Sequence, residues 1–174
     1  MKPEVRKALH ENYHNNHYGF PIHDDNELFG RLIMEINQAG LSWETILRKE
    51  RAFRNAYDQF DIAKVAAYEE ADRSRLLADA GIIRNRLKIN AAIENAKAII
   101  ELQQAYGSFE RWLDHHHPMP LPAWMKLFKK TFKFTGGEIV NEFLMSTGYL
   151  PGAHDPDCPV HAAILKAKPM WASE

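Results

Sequence analysis

The chain has 174 residues, the length of one domain that can build its own hydrophobic core. Its composition, 45% hydrophobic and 26% charged, excludes intrinsic disorder and collagen-like repeats, and its net charge of -1 excludes a general electrostatic attraction to nucleic acid. No apolar run is long enough for a membrane span, and the single Cys158 excludes an internal disulfide, so we expect a soluble protein of the reducing cytoplasm.

Hydrophobic periodicity is helical almost throughout, and capping residues indicate where the helices begin. In chain order we predict helices over 3–16, from Asp24–Asp25 to the Gly40 break, from Ser42 onward, over 61–68, from Asp72 to before Gly81, and over 85–106, 123–132 and 138–147. The tail after Gly148 is rich in Gly and Pro, so we expect it to be irregular, including the part after residue 159. No alternating pattern predicts a strand. Two lobes are an open alternative, although the composition shows no clean linker between them. The predicted fold is therefore all-α, a bundle of short helices in one domain over 1–174.

The segment around Gly81 is the first candidate binding site along the chain, because one helix ends there and another follows after a short turn. We expect Gly81 to adopt a backbone conformation that a side chain would strain. Free amides at the start of the second helix can bind a phosphate, helped by the positive end of the helix dipole. The predicted DNA contacts of this hairpin are Gly81, Ile82, Ile83, Arg84, Arg86 and Lys88. A plain helix cap followed by another helix fits the same residues equally well.

A second basic feature lies on the helix predicted over 123–132. Its lysines share one face, while its aromatic residues Trp124, Phe128 and Phe132 lie on another. The lysines concerned are Lys126, Lys129, Lys130 and Lys133. Both a solvated face and a strip that faces DNA are open interpretations of this pattern.

Glu35 lies at the edge of the apolar stripe of the second helix, where a carboxylate either extends to solvent or is buried with a purpose. A buried carboxylate needs hydrogen-bond donors or a cation, and burial raises its pKa. Tyr13, Tyr18 and Trp43 supply aromatic faces for stacking, and Glu35 can accept hydrogen bonds from a base edge, as an extruded nucleobase requires. An aromatic core with a capped Glu35 is the alternative, and the residues alone favour it.

The chain resembles the 3-methyladenine DNA glycosylase I family in several segments that occur in the same order. These are residues 12–19 (NYHNNHYG), 34–43 (MEINQAGLSW), 79–86 (DAGIIRNR) and 132–136 (FKFTG), followed by the pair His154 and Cys158. The resemblance extends over about residues 12–158. It implies an all-helical helix-hairpin-helix glycosylase that excises 3-methyladenine from alkylated double-stranded DNA by base flipping.

The resemblance also implies roles for individual residues. Glu35 matches the pocket carboxylate, and Tyr13 and Trp43 match aromatic pocket residues. Tyr18 stands where the family often has Trp, and Ile36 stands where it usually has a small residue, which bears on substrate choice. Because an N3-alkylated adenine is cationic, its glycosidic bond is weak, and Glu35 need only recognise the cation or stabilise positive charge in the transition state. No lysine is placed as a nucleophile, so we expect a monofunctional, monomeric enzyme that needs no cofactor for its chemistry.

His14, His154 and Cys158 match three ligands of a zinc site in that family, and the spacing of His154 and Cys158 suits a structural metal. The fourth ligand of the family is a cysteine near the N-terminus, roughly where this chain has Met1. The site is therefore either lost or completed by another group. The candidates for that group are a water molecule, His10, His17 and His161.

Two functions of other classes stay open. One is a non-catalytic helix-hairpin-helix protein that binds DNA without excision, and the other is a histidine-rich metalloenzyme. The presence of Glu35, Tyr13 and Trp43 favours the glycosylase, because a protein that binds only the DNA backbone needs no polar pocket among aromatic rings. The altered N-terminus and Ile36 favour the non-catalytic protein.

Overall fold

The computed structural model describes residues 1–173, and all of its regular structure is helical. Its α-helices are α1 (Pro3–Asn16), α2 (Asp25–Gln38), α3 (Trp43–Ala56), α4 (Ile62–Ala66), α5 (Glu70–Ala78), α6 (Arg86–Tyr106), α7 (Phe109–His116), α8 (Leu121–Thr131), α9 (Gly137–Ser146) and α10 (Pro159–Lys166). Short 3-10 helices cover Asp58–Phe60 and Met170–Ala172. The predicted all-α bundle is confirmed, and within 1–173 no helix combines the length and apolarity that crossing a membrane requires.

Side-chain caps explain why most of the predicted helix starts agree with the observed ones. Four residues at predicted helix starts accept a hydrogen bond from a backbone N–H in the first turn of their helix: Asp24 at α2, Ser42 at α3, Asp61 at α4 and Asn85 at α6. The prediction for α5 is wrong, because this helix begins at Glu70 and not at Asp72. The Asp72 carboxylate instead accepts the N–H of Glu69 at 3.0 Å, which completes a capping box.

Two helices occur where the sequence analysis expects none. α7 is short and amphipathic, and it buries Phe109, Trp112 and Leu113 in the core. α10 corrects the expectation of an irregular tail after residue 159, because Pro159 occupies the first turn of a helix. Proline suits that position, since its missing N–H would have no partner there and its fixed φ is helical.

α2 is the central element of the fold, and it is buried from Leu28 to Asn37. α3, α6, α7 and α9 all pack against it. At Gly30 the neighbouring chain comes so close that an added Cβ would lie 2.3 Å from the Phe60 ring. A polar side chain in the middle of this helix therefore faces the interior of the protein whichever way it points.

Candidate active site

Glu35 is buried on α2, with 3% of its surface exposed. Among residues 1–173 its carboxyl has no hydrogen-bond donor, so the alternative of a capped glutamate in an aromatic core has no support in this structure. Burial raises the pKa of Glu35 to about 8; the Arg31 guanidinium opposes this rise, and the Glu142 carboxylate adds to it. The chain thus holds an unpaired acid in a place where an ionised carboxylate is costly.

Glu35 lines a cavity of about 450 Å³, which we call the aromatic cavity. Its walls are formed by His10, Tyr13, His14, Tyr18, Glu35, Gln38, Trp43 and Glu142. The three predicted aromatic residues meet there, with the ring centroid of Tyr13 5.2 Å from that of Trp43 and 5.6 Å from that of Tyr18. The volume lies in the range of small-molecule sites, roughly 300–1,000 Å³, so a planar base has room to enter.

The turn between α2 and α3 brings Trp43 to this cavity. Gly40 has a φ of +81°, in the left-handed region, and no atom lies within 4 Å of the place where its Cβ would be. The backbone conformation, and not a lack of space, therefore requires glycine here. After the turn Ser42 caps α3, so that Trp43 becomes the first residue of the helix and packs beside Tyr13.

The phenol groups of the cavity stay protonated at neutral pH. Burial and the nearby carboxylates raise the pKa of Tyr18 to about 12, and burial also raises the pKa of Tyr13. The Tyr18 hydroxyl donates a hydrogen bond to Glu142 Oε2 at 3.4 Å. On the far side of Tyr13, the Arg31 guanidinium lies 5.3 Å from the ring centroid and donates to the Ser146 carbonyl at 3.1 Å.

A second space of about 580 Å³, which we call the adjoining cleft, lies next to the aromatic cavity. Glu35, Gln38 and Glu142 line both of them. The rest of the cleft is formed by residues 39–41 and 136–139. The carboxyls of Glu35 and Glu142 therefore stand where the two spaces meet.

The hairpin between α5 and α6 lies at residues 79–85, so α5 ends three residues before Gly81. The Gly81 N–H donates to Asp79 Oδ1 at 2.8 Å, and the Lys49 ammonium holds the carbonyls of Ala80 and Gly81 at 3.3 and 3.4 Å. The expected backbone strain at Gly81 is wrong, because its φ is not positive. Glycine allows close packing here instead, since a Cβ would lie 3.0 Å from the Cβ of Ala52.

Some of the predicted DNA contacts of the hairpin are exposed and free, whereas others are buried or paired within the protein. Ile82 is buried and Ile83 packs against the core, so both side chains anchor the turn. The backbone N–H groups of Ile83 and Arg84 have no acceptor among residues 1–173. The Arg84 side chain is exposed and forms no ion pair in that range, whereas exposed Arg86 is paired with Glu70 at 3.1 Å. Arg84 and the two N–H groups are thus the part of the hairpin that is free for a phosphate.

Lys88 requires a correction, because it does not point away from the protein. It is 5% exposed, and its ammonium donates to the carbonyls of Asn37 and Ala39 at 2.9 and 2.8 Å. These carbonyls belong to the C-terminal end of α2, where backbone acceptors lack partners and a positive charge is favourable. Lys88 therefore holds the end of the Glu35 helix, and it is not a DNA contact.

Two further sequence features have a clear place in the structure. The lysines of the basic strip are all exposed on α8 and just after it. Ile36 is 2% exposed within the core and lines neither the aromatic cavity nor the adjoining cleft. Its branched side chain therefore does not narrow the pocket.

His14, His154 and Cys158 come together beside the aromatic cavity. The Cys158 Sγ lies 3.9 Å from His14 Nε2 and 3.9 Å from His154 Nδ1, and the three ligand atoms lie within 4.8 Å of one another. The other ring nitrogen of His154 is 2.8 Å from the Tyr18 carbonyl oxygen. That hydrogen bond orients the ring so that Nδ1 faces the sulfur. No further histidine, cysteine or carboxylate joins the cluster within the described part of the chain.

Comparison with known proteins decides the family. The family model for methyladenine glycosylase matches residues 4–123. DNA-3-methyladenine glycosylase 1 of Escherichia coli K12 is 37% identical to this chain, and the match covers 78% of this chain and 83% of that one. The chain belongs to the methyladenine glycosylase family.

Solved structures agree with the methyladenine glycosylase assignment. The 3-methyladenine DNA glycosylase I of Staphylococcus aureus, studied for 3-methyladenine recognition, superposes with a TM-score of 0.80 at 33% identity. The superposition covers 87% of this chain and 90% of that one. A variant of a 3-methyladenine DNA glycosylase I in complex with 3-methyladenine gives a TM-score of 0.81 at 32% identity, with 87% and 91% covered. The predicted family, fold and enzyme class are confirmed, and the comparisons favour the glycosylase over the non-catalytic DNA-binding alternative.

Two residues at or near the site of this methyladenine glycosylase, Glu142 and the buried cation Arg31, were not predicted from the sequence. Glu142 lies on α9 between the buried positions Val140 and Phe143, so its residue type resembles any polar position on an amphipathic helix. Only a pairing of α9 with α2 makes it a wall of the cavity. Arg31 sits one turn before Glu35 on α2, and that spacing was a usable signal, because a buried carboxylate requires a nearby cation or donor.

Proposed function

We propose that this chain excises 3-methyladenine from alkylated double-stranded DNA as a monofunctional glycosylase, with Glu35 as its catalytic residue. The observation that carries the proposal is an unpaired, buried carboxyl group facing a cavity walled by three aromatic rings. A base flipped out of the duplex stacks on Tyr13 and Trp43, and Tyr18 closes the cavity beside them. A monomeric state and a cytoplasmic location stay predictions from the sequence.

Breaking the glycosidic bond of a cationic base requires little from the protein beyond stabilisation of charge. Alkylation at N3 gives the adenine ring a formal positive charge. When the glycosidic bond breaks, its electron pair moves into the ring, and the base leaves neutral while the sugar becomes an oxocarbenium ion. Water then adds to the sugar carbon and loses a proton, which leaves an abasic site. An ionised Glu35 first stabilises the cationic base and then the positive charge that develops on the sugar.

The hairpin supplies the sequence-independent part of DNA binding. The free N–H groups of Ile83 and Arg84 and the exposed guanidinium of Arg84 can hold one phosphate of the DNA backbone. Lys49 fixes the hairpin against α3, whose first residue is Trp43. The hairpin and the wall of the aromatic cavity are therefore connected through α3.

We also propose that His14, His154 and Cys158 bind a structural zinc ion. In a tetrahedral zinc site the sulfur and nitrogen ligands lie about 3.6 Å apart, close to the two separations of 3.9 Å in this chain. With three protein ligands, water completes the coordination, and the ion ties α1 to the segment before α10. Zinc takes no part in the chemistry. We expect metal analysis to find zinc in the purified protein and Cys158→Ser to lose it together with thermal stability; a metal-free wild-type protein would contradict the proposal.

The glycosylase proposal is tested by measuring 3-methyladenine released from methylated duplex DNA. We expect Glu35→Gln to lower the single-turnover rate by about 100-fold, the usual effect of removing one electrostatic group from an active site. Glu101→Gln serves as the matched control, because Glu101 is exposed and lines neither the aromatic cavity nor the adjoining cleft. Affinity for undamaged duplex should stay unchanged in Glu35→Gln. If the wild-type protein binds DNA at low salt but releases no base, the chain is a binding protein and the proposal is wrong.

A further inference from the structure

A second carboxylate, that of Glu142, faces the same cavity as Glu35. The two residues come from different helices, Glu35 from α2 and Glu142 from α9, and these helices pack against each other. Both side chains line the aromatic cavity and the adjoining cleft. A ligand in the aromatic cavity therefore shares that space with two carboxyl groups.

The contacts of Glu142 leave it available to a ligand. The Tyr18 hydroxyl donates to Oε2 at 3.4 Å, a long hydrogen bond that orients the group without saturating it. Within residues 1–173, Glu142 forms no ion pair, and its other carboxylate oxygen accepts no hydrogen bond. A carboxylate has room for about four hydrogen bonds, so Glu142 keeps most of its capacity to accept.

The charges around the cavity are unbalanced toward the negative. Two carboxylates line it, and no lysine or arginine of the described residues does. The buried cation Arg31 packs against the Tyr13 ring and does not line the cavity, although its charge partly offsets that of Glu35. The other titratable groups that line the cavity with Glu35 and Glu142 are the phenols of Tyr13 and Tyr18 and the imidazoles of His10 and His14. A neutral base therefore gains little from these charges, whereas a cationic base is attracted by the Glu142 carboxylate and by Glu35 once Glu35 has lost its proton.

We propose that Glu142 is a specificity-determining residue that, together with Glu35, makes the aromatic cavity select purine bases with a positive charge. Glu142 accepts a hydrogen bond from a second edge of the flipped base, and its charge favours the cation over neutral bases of the same shape. The proposal rests on the glycosylase function proposed above. It also accounts for the pairing of Tyr18 with Glu142, since the phenol aims the carboxylate at the cavity.

The test compares Glu142→Gln with Glu101→Gln, which removes the same charge from an exposed position on α6 that lines neither the aromatic cavity nor the adjoining cleft. The probe is 3,9-dimethyladeninium, a permanently cationic mimic of the damaged nucleoside, used as an inhibitor of 3-methyladenine release. We expect its inhibition constant to rise about tenfold in Glu142→Gln, the effect of one charge-assisted hydrogen bond, and to change less than about twofold in Glu101→Gln. Inhibition by neutral 9-methyladenine should change less than about twofold in either variant.

Several outcomes overturn the inference. If Glu142→Gln weakens the cationic and the neutral inhibitor equally, Glu142 shapes the cavity and does not select charge. Equal effects of the two variants on the cationic inhibitor would mean a general charge effect. Glu142→Asp keeps the charge and should recover part of the lost affinity, which keeps the test valid if the Gln variant folds poorly. A wild-type protein that releases no 3-methyladenine refutes the proposed function itself, whereas an active wild type with an unaffected Glu142→Gln refutes only the role of Glu142.

Discussion

Replacing Glu35 by glutamine should stabilise the protein at high pH while it removes activity. Burial raises the pKa of Glu35 from its ordinary value of 4.5 to about 8, so between these pH values the folded state holds a proton that the unfolded state has lost. The native state then binds more protons than the unfolded state, and stability falls as the pH rises through this window. Below pH 4.5 the side chain is neutral in both states, so its ionisation does not lower the free energy of unfolding.

The expected magnitude follows from the size of that shift. A change from 4.5 to about 8 at 1.36 kcal/mol per pKa unit corresponds to roughly 4 to 5 kcal/mol of lost stability above pH 8. Because glutamine does not ionise, the Glu35→Gln variant does not lose this stability as the pH rises. We therefore compare the free energy of unfolding of Glu35→Gln with that of the wild type. Between pH 5 and pH 9 this difference should grow by roughly 4 kcal/mol in favour of the variant.

Urea unfolding of both proteins at pH 5, 7 and 9 measures this difference, and the other titrating groups largely cancel because both proteins contain them. Glu101→Gln is the control: its side chain is exposed, and its difference from wild type should stay within about 0.5 kcal/mol at all three pH values. If the difference between Glu35→Gln and wild type is the same at pH 5 and pH 9, Glu35 is solvated or paired, and the argument for an acid stored in the cavity is wrong.

Three further outcomes are expected. Excision at subsaturating DNA should rise with pH with an apparent pKa near 8, because only ionised Glu35 attracts the cationic base; a flat profile between pH 6 and 9 would contradict this. Arg84→Ala should weaken binding to undamaged duplex and reduce the slope of log affinity against log salt by about one, as measured by fluorescence anisotropy, and an unchanged slope would remove Arg84 from the phosphate contacts. Lys88→Met should cost about 1–3 kcal/mol of stability in urea unfolding, since two carbonyls at the end of α2 lose their donor, yet leave that salt slope unaltered; a reduced slope would return Lys88 to the DNA contacts.

Local signals in the sequence were sufficient for most of the helices. Ser42 and Asn85 mark helix starts because a side-chain oxygen and a nearby backbone N–H suffice to form a cap, whatever the rest of the chain does. Asp72 misled the prediction because it acts from the third position of a capping box. α10 was missed because proline was weighed as a helix breaker, although in the first turn it starts a helix.

Residue type and short spacing are enough to predict the helical bundle. The ordered motifs are enough to indicate the family and to name Tyr13, Tyr18, Glu35 and Trp43 as residues of the cavity. The other charged groups of the site depend on how the helices pack. Glu142 becomes part of the cavity when α9 packs on α2, and Lys88 leaves the DNA surface because the open end of α2 takes up its ammonium. Charge interactions depend on distance and burial, and for residues far apart in the chain both arise only when helices pack.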